Sequence, residues 1–130
     1  MILSEKTRNV NYRKRNSHLC DGRSNKSPSW KGSKKWYRFM APAGTRISEK
    51  PPNPSYSQGL CGTYYPGWLN GHHPKQPGQL VNRKVCFVHT HYRNNCYWSN
   101  SVKIRNCGKY FVYFLSNAPT CALRYCAENK

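Results

Sequence analysis

Val81-Asn82-Arg83-Lys84-Val85-Cys86-Phe87-Val88-His89-Thr90-His91-Tyr92-Arg93-Asn94-Asn95-Cys96-Tyr97-Trp98-Ser99-Asn100-Ser101-Val102-Lys103-Ile104-Arg105 is the stretch that decides the fold. Val81 to His91 reads as a long strand. Side chains alternate across a strand, so Val85 and Phe87 share one face and Cys86 and Val88 the other. Tyr92 to Asn95 is a polar reversal. Tyr97 to Arg105 runs back with Val102 and Ile104 inward and Lys103 and Arg105 outward. A cysteine stands on either side of the reversal. Nothing here has the 3.6-residue period of a helix.

Seven cysteines stand in 130 residues, and six of them (Cys61, Cys86, Cys96, Cys107, Cys121 and Cys126) lie from residue 61 onward. In a short chain of strand-like and turn-like sequence, this points to cross-links formed in an oxidising compartment. The interior needs them. The apolar fraction of 37% leans on Tyr, Trp and Cys rather than on aliphatic residues. Closing a loop of ~15 residues is worth roughly 3 kcal/mol in the chain-entropy account.

Further strands flank the hairpin. Trp36 to Met40 alternates around aromatic rings, Tyr110 to Leu115 is apolar on both faces like a central strand, and Cys121 to Cys126 closes the structure. Residues 20–35 read as loop. Residues 48–60, with Pro51, Pro52, Pro54 and Gly59, read as an irregular excursion, and Cys61 to Pro77 as turns. Residues 1–19 are polar and basic without an apolar period. The expected fold is small, disulfide-rich and mainly β. It has an antiparallel sheet, long irregular loops and a disordered basic arm over residues 1–19, followed by one domain over 20–127.

The net charge is +18, from 22 Lys and Arg against four acids, and residues 1–50 hold 13 of the cations. Such a chain attracts polyanions. No apolar run approaches the ~20 residues of a membrane helix. Met1-Ile2-Leu3-Ser4-Glu5-Lys6 is not a secretory leader, because charge interrupts it at once. With the cysteine usage, that points to a piece of a longer secreted protein or to a misplaced start.

Five stretches stand in one order. They are Trp36-Tyr37-Arg38-Phe39, Cys61-Gly62-Thr63-Tyr64-Tyr65-Pro66-Gly67-Trp68-Leu69-Asn70-Gly71-His72-His73-Pro74, Arg83-Lys84-Val85-Cys86-Phe87, Trp98 to Tyr113 through Asn106-Cys107-Gly108, and Pro119-Thr120-Cys121-Ala122-Leu123-Arg124-Tyr125-Cys126. Together they resemble the eight-cysteine extracellular domain of the uromodulin and zymogen-granule membrane glycoprotein type, found also in invertebrate mosaic proteins. The resemblance covers residues 36–126 and, more weakly, Cys20-Asp21. It implies the pairings Cys20–Cys121, Cys61–Cys126 and Cys86–Cys96. For the last, facing positions beside a short reversal also bring Cα atoms within the ~4.4–6.8 Å a disulfide requires. Two family cysteines are missing, one between Ile47 and Leu60 and one beside Cys96 at Asn95. In the family they pair with each other, so a whole bridge is gone. The family partner of Cys107 lies upstream, and residues 1–19 hold no cysteine. Cys107 is therefore expected free, or joined to a partner outside this chain.

Several sharper readings compete with plainer ones. Cys86, His89, His91 and Cys96 could bind zinc, but Cys86 and the two histidines point to opposite faces, and a disulfide explains the thiols. His72-His73 reads as a turn whose side chains diverge. The four acids (Glu5, Asp21, Glu49, Glu128) form no paired-carboxylate motif, so no enzyme and no cofactor is expected. Arg83, Lys103, Arg105 and Arg124 are the candidate basic face. Asn25 heads the one N-glycosylation sequon, Asn25-Lys26-Ser27. The sequence reads as a non-catalytic extracellular recognition or adhesion module, with neighbouring domains in a longer chain. Its partner would be an extracellular protein or an acidic glycan, with no specific nucleic acid and no membrane span. The alternative is an intracellular basic protein that binds nucleic acid with reduced thiols.

Overall fold

A computed structural model describes residues 1–24 and 26–130. Asn25, the candidate glycosylation position, lies outside the described residues. Nine strands form among them: β1 (Ile2–Leu3), β2 (Lys35–Phe39), β3 (Arg46–Ile47), β4 (Tyr65–Asn70), β5 (Leu80–His89), β6 (Asn94–Asn106), β7 (Phe111–Leu115), β8 (Leu123–Tyr125) and β9 (Ala127–Glu128). Seven of them make one sheet in the order β1-β2-β7-β6-β5-β4-β8, and β3 pairs with β9. The β5–β6 hairpin is the backbone of this sheet. Its register sets Val85 opposite Asn100 and Phe87 opposite Trp98, with an irregularity between Phe87 and His89.

The sheet is mixed rather than purely antiparallel. At one edge β1 runs parallel to β2, and at the other β8 runs parallel to β4. Both parallel strands are two or three residues long and arrive from distant parts of the chain, where no hairpin turn dictates direction. β4 falls inside the stretch that reads as turns. Gly67 shows why a glycine belongs there. A Cβ on it would sit 2.7 Å from Phe87 Cε1 and 2.9 Å from the Arg124 carbonyl oxygen, because β4 is squeezed between β5 and β8.

The inner face carries the core. Tyr37, Tyr113, Ile104, Val102, Val85, Phe87, Leu69 and Tyr125 lie on it, capped by Leu3, Trp30, Ile47 and Ala127. Rings do most of the filling, as the scarcity of aliphatic residues requires. Trp30 is fully buried and stacks on Tyr37 with centroids 4.6 Å apart and planes 5° apart. Its indole N–H donates to Asn117 Oδ1 at 2.8 Å. Residues 20–35 therefore supply a central core ring, although they lack any strand period.

Residues 1–19 are not a free arm. Leu3 is fully buried in the core, and β1 pairs with β2. Arg8 is also fully buried; it donates two hydrogen bonds of 2.7 Å to the two oxygens of Asp21 and a third to the Tyr125 carbonyl. Asp21 in turn accepts from the Tyr125 N–H at 2.9 Å. Arg124, buried beside them, donates to Ser27, Thr7 and the Cys61 carbonyl. Its Nη2 lies 3.4 Å from Glu5 Oε1. Burial and the neighbouring Arg8 cation push the Arg124 guanidinium down to about 10. This polar knot ties the N-terminal segment to β8.

Sulfur links close the same region. Cys20 joins Cys121 with Cα atoms 5.5 Å apart, and Cys61 joins Cys126 at 5.8 Å. Cys86 joins Cys96 across the hairpin at 4.6 Å. Cys107 is free within the chain and exposed in the β6–β7 turn. No helix is long and apolar enough to cross a membrane among the described residues.

Candidate functional site

All four acids of the chain are occupied internally. Glu5 and Asp21 lie against Arg8, and Glu5 also against Arg124. Glu49 and Glu128 flank Arg46, with Arg46 Nε 2.7 Å from Glu128 Oε2. Among the described residues, no other Lys or Arg has a carboxylate partner. The surface thus keeps nearly the full excess of positive charge, with no acid to offset it.

The register shows where that charge gathers. On the outer face of the sheet, Trp36, Phe114, Lys103 and Asn82 form one row across β2, β7, β6 and β5. Val112, Arg105 and Leu80 form the next, and Ser101, Lys84 and Asn70 a third. Among the described residues, no second layer covers these rows. Lys84, Lys103 and Arg105 are exposed, as are Trp36 and Leu80. Trp36 and Phe114 pair with centroids 5.3 Å apart. Arg38, on the same face of β2 as Trp36, places its guanidinium 3.8 Å above the Tyr110 ring. Its Nε is buried without a hydrogen-bond partner among the described residues. A cleft of about 340 Å³ borders that end, with Arg38, Lys109, Tyr110 and Lys130 in its lining. The arrangement can hold an extended anion across Lys84, Lys103 and Arg105, one cation in each of the three rows, with the Trp36 and Phe114 rings beside them.

This face differs from the one expected. Lys103 and Arg105 lie on it. Arg83 does not: it shares the inner-face alternation of Val85, and its guanidinium donates to the carbonyls of His72 and Asn82 at the rim. Arg124 is fully buried in the N-terminal knot. Lys84 and Arg38 stand in their place. Strand alternation counted back from Val85 is the signal that separates Lys84 from Arg83.

A second polar assembly escapes sequence reading. His72 and His73 do not diverge; both ring Nδ1 atoms reach Glu49, at 3.1 and 2.6 Å. The buried His73 continues through Nε2 to the Tyr113 hydroxyl at 2.6 Å, which accepts the Ile47 N–H at 3.1 Å. A carboxylate only accepts, so His73 Nδ1 carries the proton and Nε2 accepts from Tyr113. Burial opposes the Glu49 charge, yet the backbone N–H and ring of His73, with His72 and Arg46, hold its carboxyl at about 2. Burial pushes the His73 imidazole below its ordinary value and the Tyr113 phenol far above its own. The relay has the order of a catalytic triad, but its last member is buried and hard to ionise. It anchors Glu49 and the His72–His73 turn to β7.

The relay makes stability pH-dependent. His73 and Glu49 both bind protons less readily folded than unfolded. Their stabilisation is full above their unfolded values. It is lost as the pH falls below 6.5 for His73 and then below 4.5 for Glu49. Denaturant titrations at pH 7 and pH 5 should show lower stability at pH 5, and His73→Leu should flatten that difference. Tyr113→Phe strands the Ile47 N–H and His73 Nε2, and should cost about 1–3 kcal/mol at neutral pH.

The uromodulin-like domain family matches residues 37–127. The chain belongs to the uromodulin-like domain family. This uromodulin-like domain is 38% identical over 97 residues to the pancreatic secretory granule membrane major glycoprotein GP2 of Rattus norvegicus, covering 72% of the chain and 17% of that protein. It is 39% identical over 93 residues to the Homo sapiens glycoprotein of that name, covering 70% of the chain and 16% of the relative. To uromodulin of Rattus norvegicus it is 35% identical over 95 residues, 72% of the chain and 14% of the relative. The chain thus spans less than a fifth of the length of these relatives. The family match begins at Tyr37, so the Arg8–Asp21 knot lies outside it.

Proposed function

We propose that this uromodulin-like domain is a non-catalytic extracellular recognition module that binds an acidic glycan across the outer face of its sheet. One observation carries the reading. Every carboxylate is occupied by Arg8, Arg46, Arg124 or the His72–His73 pair, so Lys84, Lys103, Arg105 and Arg38 are left unneutralised. Lys84, Lys103 and Arg105 are spread over an open surface, with Arg38 in the cleft at its end, which suits a chain of repeating anionic groups. The Trp36–Phe114 pair offers ring faces beside these cations. Three cross-links support an oxidising compartment. So does the kinship with a secretory granule membrane glycoprotein, which also supports a place beside other domains in a longer chain. The intracellular reading with reduced thiols loses ground on the same observations.

Titration with heparin as the sulfated probe tests this. Binding should weaken steeply as salt rises, and fully desulfated heparin should not bind. Lys103→Ala with Arg105→Ala should lower affinity and reduce the slope of log K against log salt by about two, as expected when two cations stop displacing counterions. An unchanged salt slope in that variant would refute the outer face as the contact surface.

A further inference from the structure

The hairpin tip carries a surface of a different kind. Around His89 lie the rings of Tyr92 at 4.5 Å, Tyr65 at 4.7 Å, Tyr97 at 4.9 Å and Trp98 at 5.4 Å. Tyr92 stacks on Tyr97 with centroids 5.3 Å apart and planes 18° apart, yet the two remain 60% and 46% exposed. In a chain short of apolar material, rings left in water need a reason.

The fold holds this tip firmly. The Cys86–Cys96 bridge spans it, and the Trp68 indole N–H donates to the Asn95 carbonyl at 2.6 Å. Cys96 N–H donates to Asn94 Oδ1 at 2.8 Å. A surface fixed in advance loses less entropy when it binds.

Beside the rings opens a cleft of about 350 Å³, lined by Gln58, Tyr64, Tyr65, His89, Thr90 and His91. Small-molecule sites run from roughly 300 to 1,000 Å³. The lining holds no Lys, Arg, Asp or Glu, in a chain of net charge +18. Its side chains engage the fold sparingly. Thr90 bonds the Ser57 hydroxyl at 2.7 Å, and His89 Nδ1 accepts the Tyr92 N–H at 3.4 Å. The Gln58 amide and the Tyr64 and Tyr65 hydroxyls have no partner among the described residues, and stand free to meet a ligand.

We infer that this cleft binds a neutral pyranose of a glycan chain. Ring faces match the flat C–H face of a sugar, and amide, phenol and imidazole groups match its equatorial hydroxyls. Absence of charge in the lining fits an uncharged ligand. Stacked nucleobases would need cations tracking the phosphates; Arg93 is the single Lys or Arg between His89 and Trp98, and Arg13 and Arg15 line the adjoining cleft beyond Gln58 and Thr90, not this one. This site is separate from the basic outer face, so each can stand or fall alone.

The test is an NMR titration of the aromatic signals of the intact chain with cellotriose, chitotriose and maltotriose. Saturable shifts should appear at Tyr64, Tyr65 and His89 for at least one sugar, with an affinity that salt does not change. Tyr64→Ala and His91→Ala, each with a retained amide spectrum, should weaken binding by about tenfold or more. Tyr64→Phe should keep most of it, and heparin binding should be unaltered in all three. No saturable shift with any sugar, or equal binding by the alanine variants, would overturn the assignment. So would shifts caused only by heparin or a mononucleotide and abolished by salt.

Discussion

Asp21→Asn should destabilise the domain by about 3–5 kcal/mol, the cost of stripping one partner from a buried ion pair. Arg8 and Asp21 have no exposed side-chain surface, and Asp21 also accepts the Tyr125 N–H. Neutralising it leaves Arg8 and Arg124 close together in the interior, with Glu5 alone to balance them; Arg8 Nε lies 3.4 Å from Glu5 but lacks hydrogen-bond geometry. Burial opposes the Arg8 charge, while Asp21 and Glu5 raise its affinity for its proton. Thermal unfolding should move down by roughly 10–20 °C. A double replacement, Arg8→Met with Asp21→Leu, removes both charges and should recover much of the loss, because apolar groups of similar volume need no pairing. A near-silent Asp21→Asn in both heat and denaturant would mean that the N-terminal segment is not anchored in this way.

The second large effect concerns the long sulfur links. Cys20–Cys121 closes 101 residues and Cys61–Cys126 closes 65, against 10 for Cys86–Cys96. Chain entropy assigns about 4–5 kcal/mol to each long loop and about 3 kcal/mol to the short one. Pairwise Cys→Ala replacement should rank in that order in urea denaturation. Removal of either long bridge should bring the domain close to unfolding, since native stabilities run only about 5–15 kcal/mol. The short bridge should matter less to stability than to the geometry of the hairpin tip. If its removal cost more than that of Cys20–Cys121, loop closure would not be the source of stability.

Sequence reading reaches the hairpin because a strand declares its faces by alternation. Val85 and Phe87 separate from Cys86, and Val102 and Ile104 from Lys103 and Arg105, without any tertiary information. The same alternation, continued two residues towards the N-terminus, moves Arg83 away from the basic face and puts Lys84 on it. What escapes is non-periodic. Leu3, Arg8 and Trp30 are single core residues in polar stretches, so no window around them looks buried. The Glu49–His73 and Arg8–Asp21 contacts join residues 24 and 13 positions apart through the fold, with no local rule to signal them. Arg124 reads as an outward cation on a short strand until Glu5, Thr7 and Ser27 are folded against it.

The account stands most directly on one comparison of matched charge. Lys84→Glu, Lys103→Glu and Arg105→Glu reverse three cations on the outer face. Arg13→Glu, Arg15→Glu and Arg23→Glu change the net charge equally in the N-terminal segment. Measured against heparin at one salt concentration, the first triple variant should lose binding, while the second should retain most of it. Equal losses in the two would show that net charge alone attracts the polyanion, and would contradict a binding face built on the sheet.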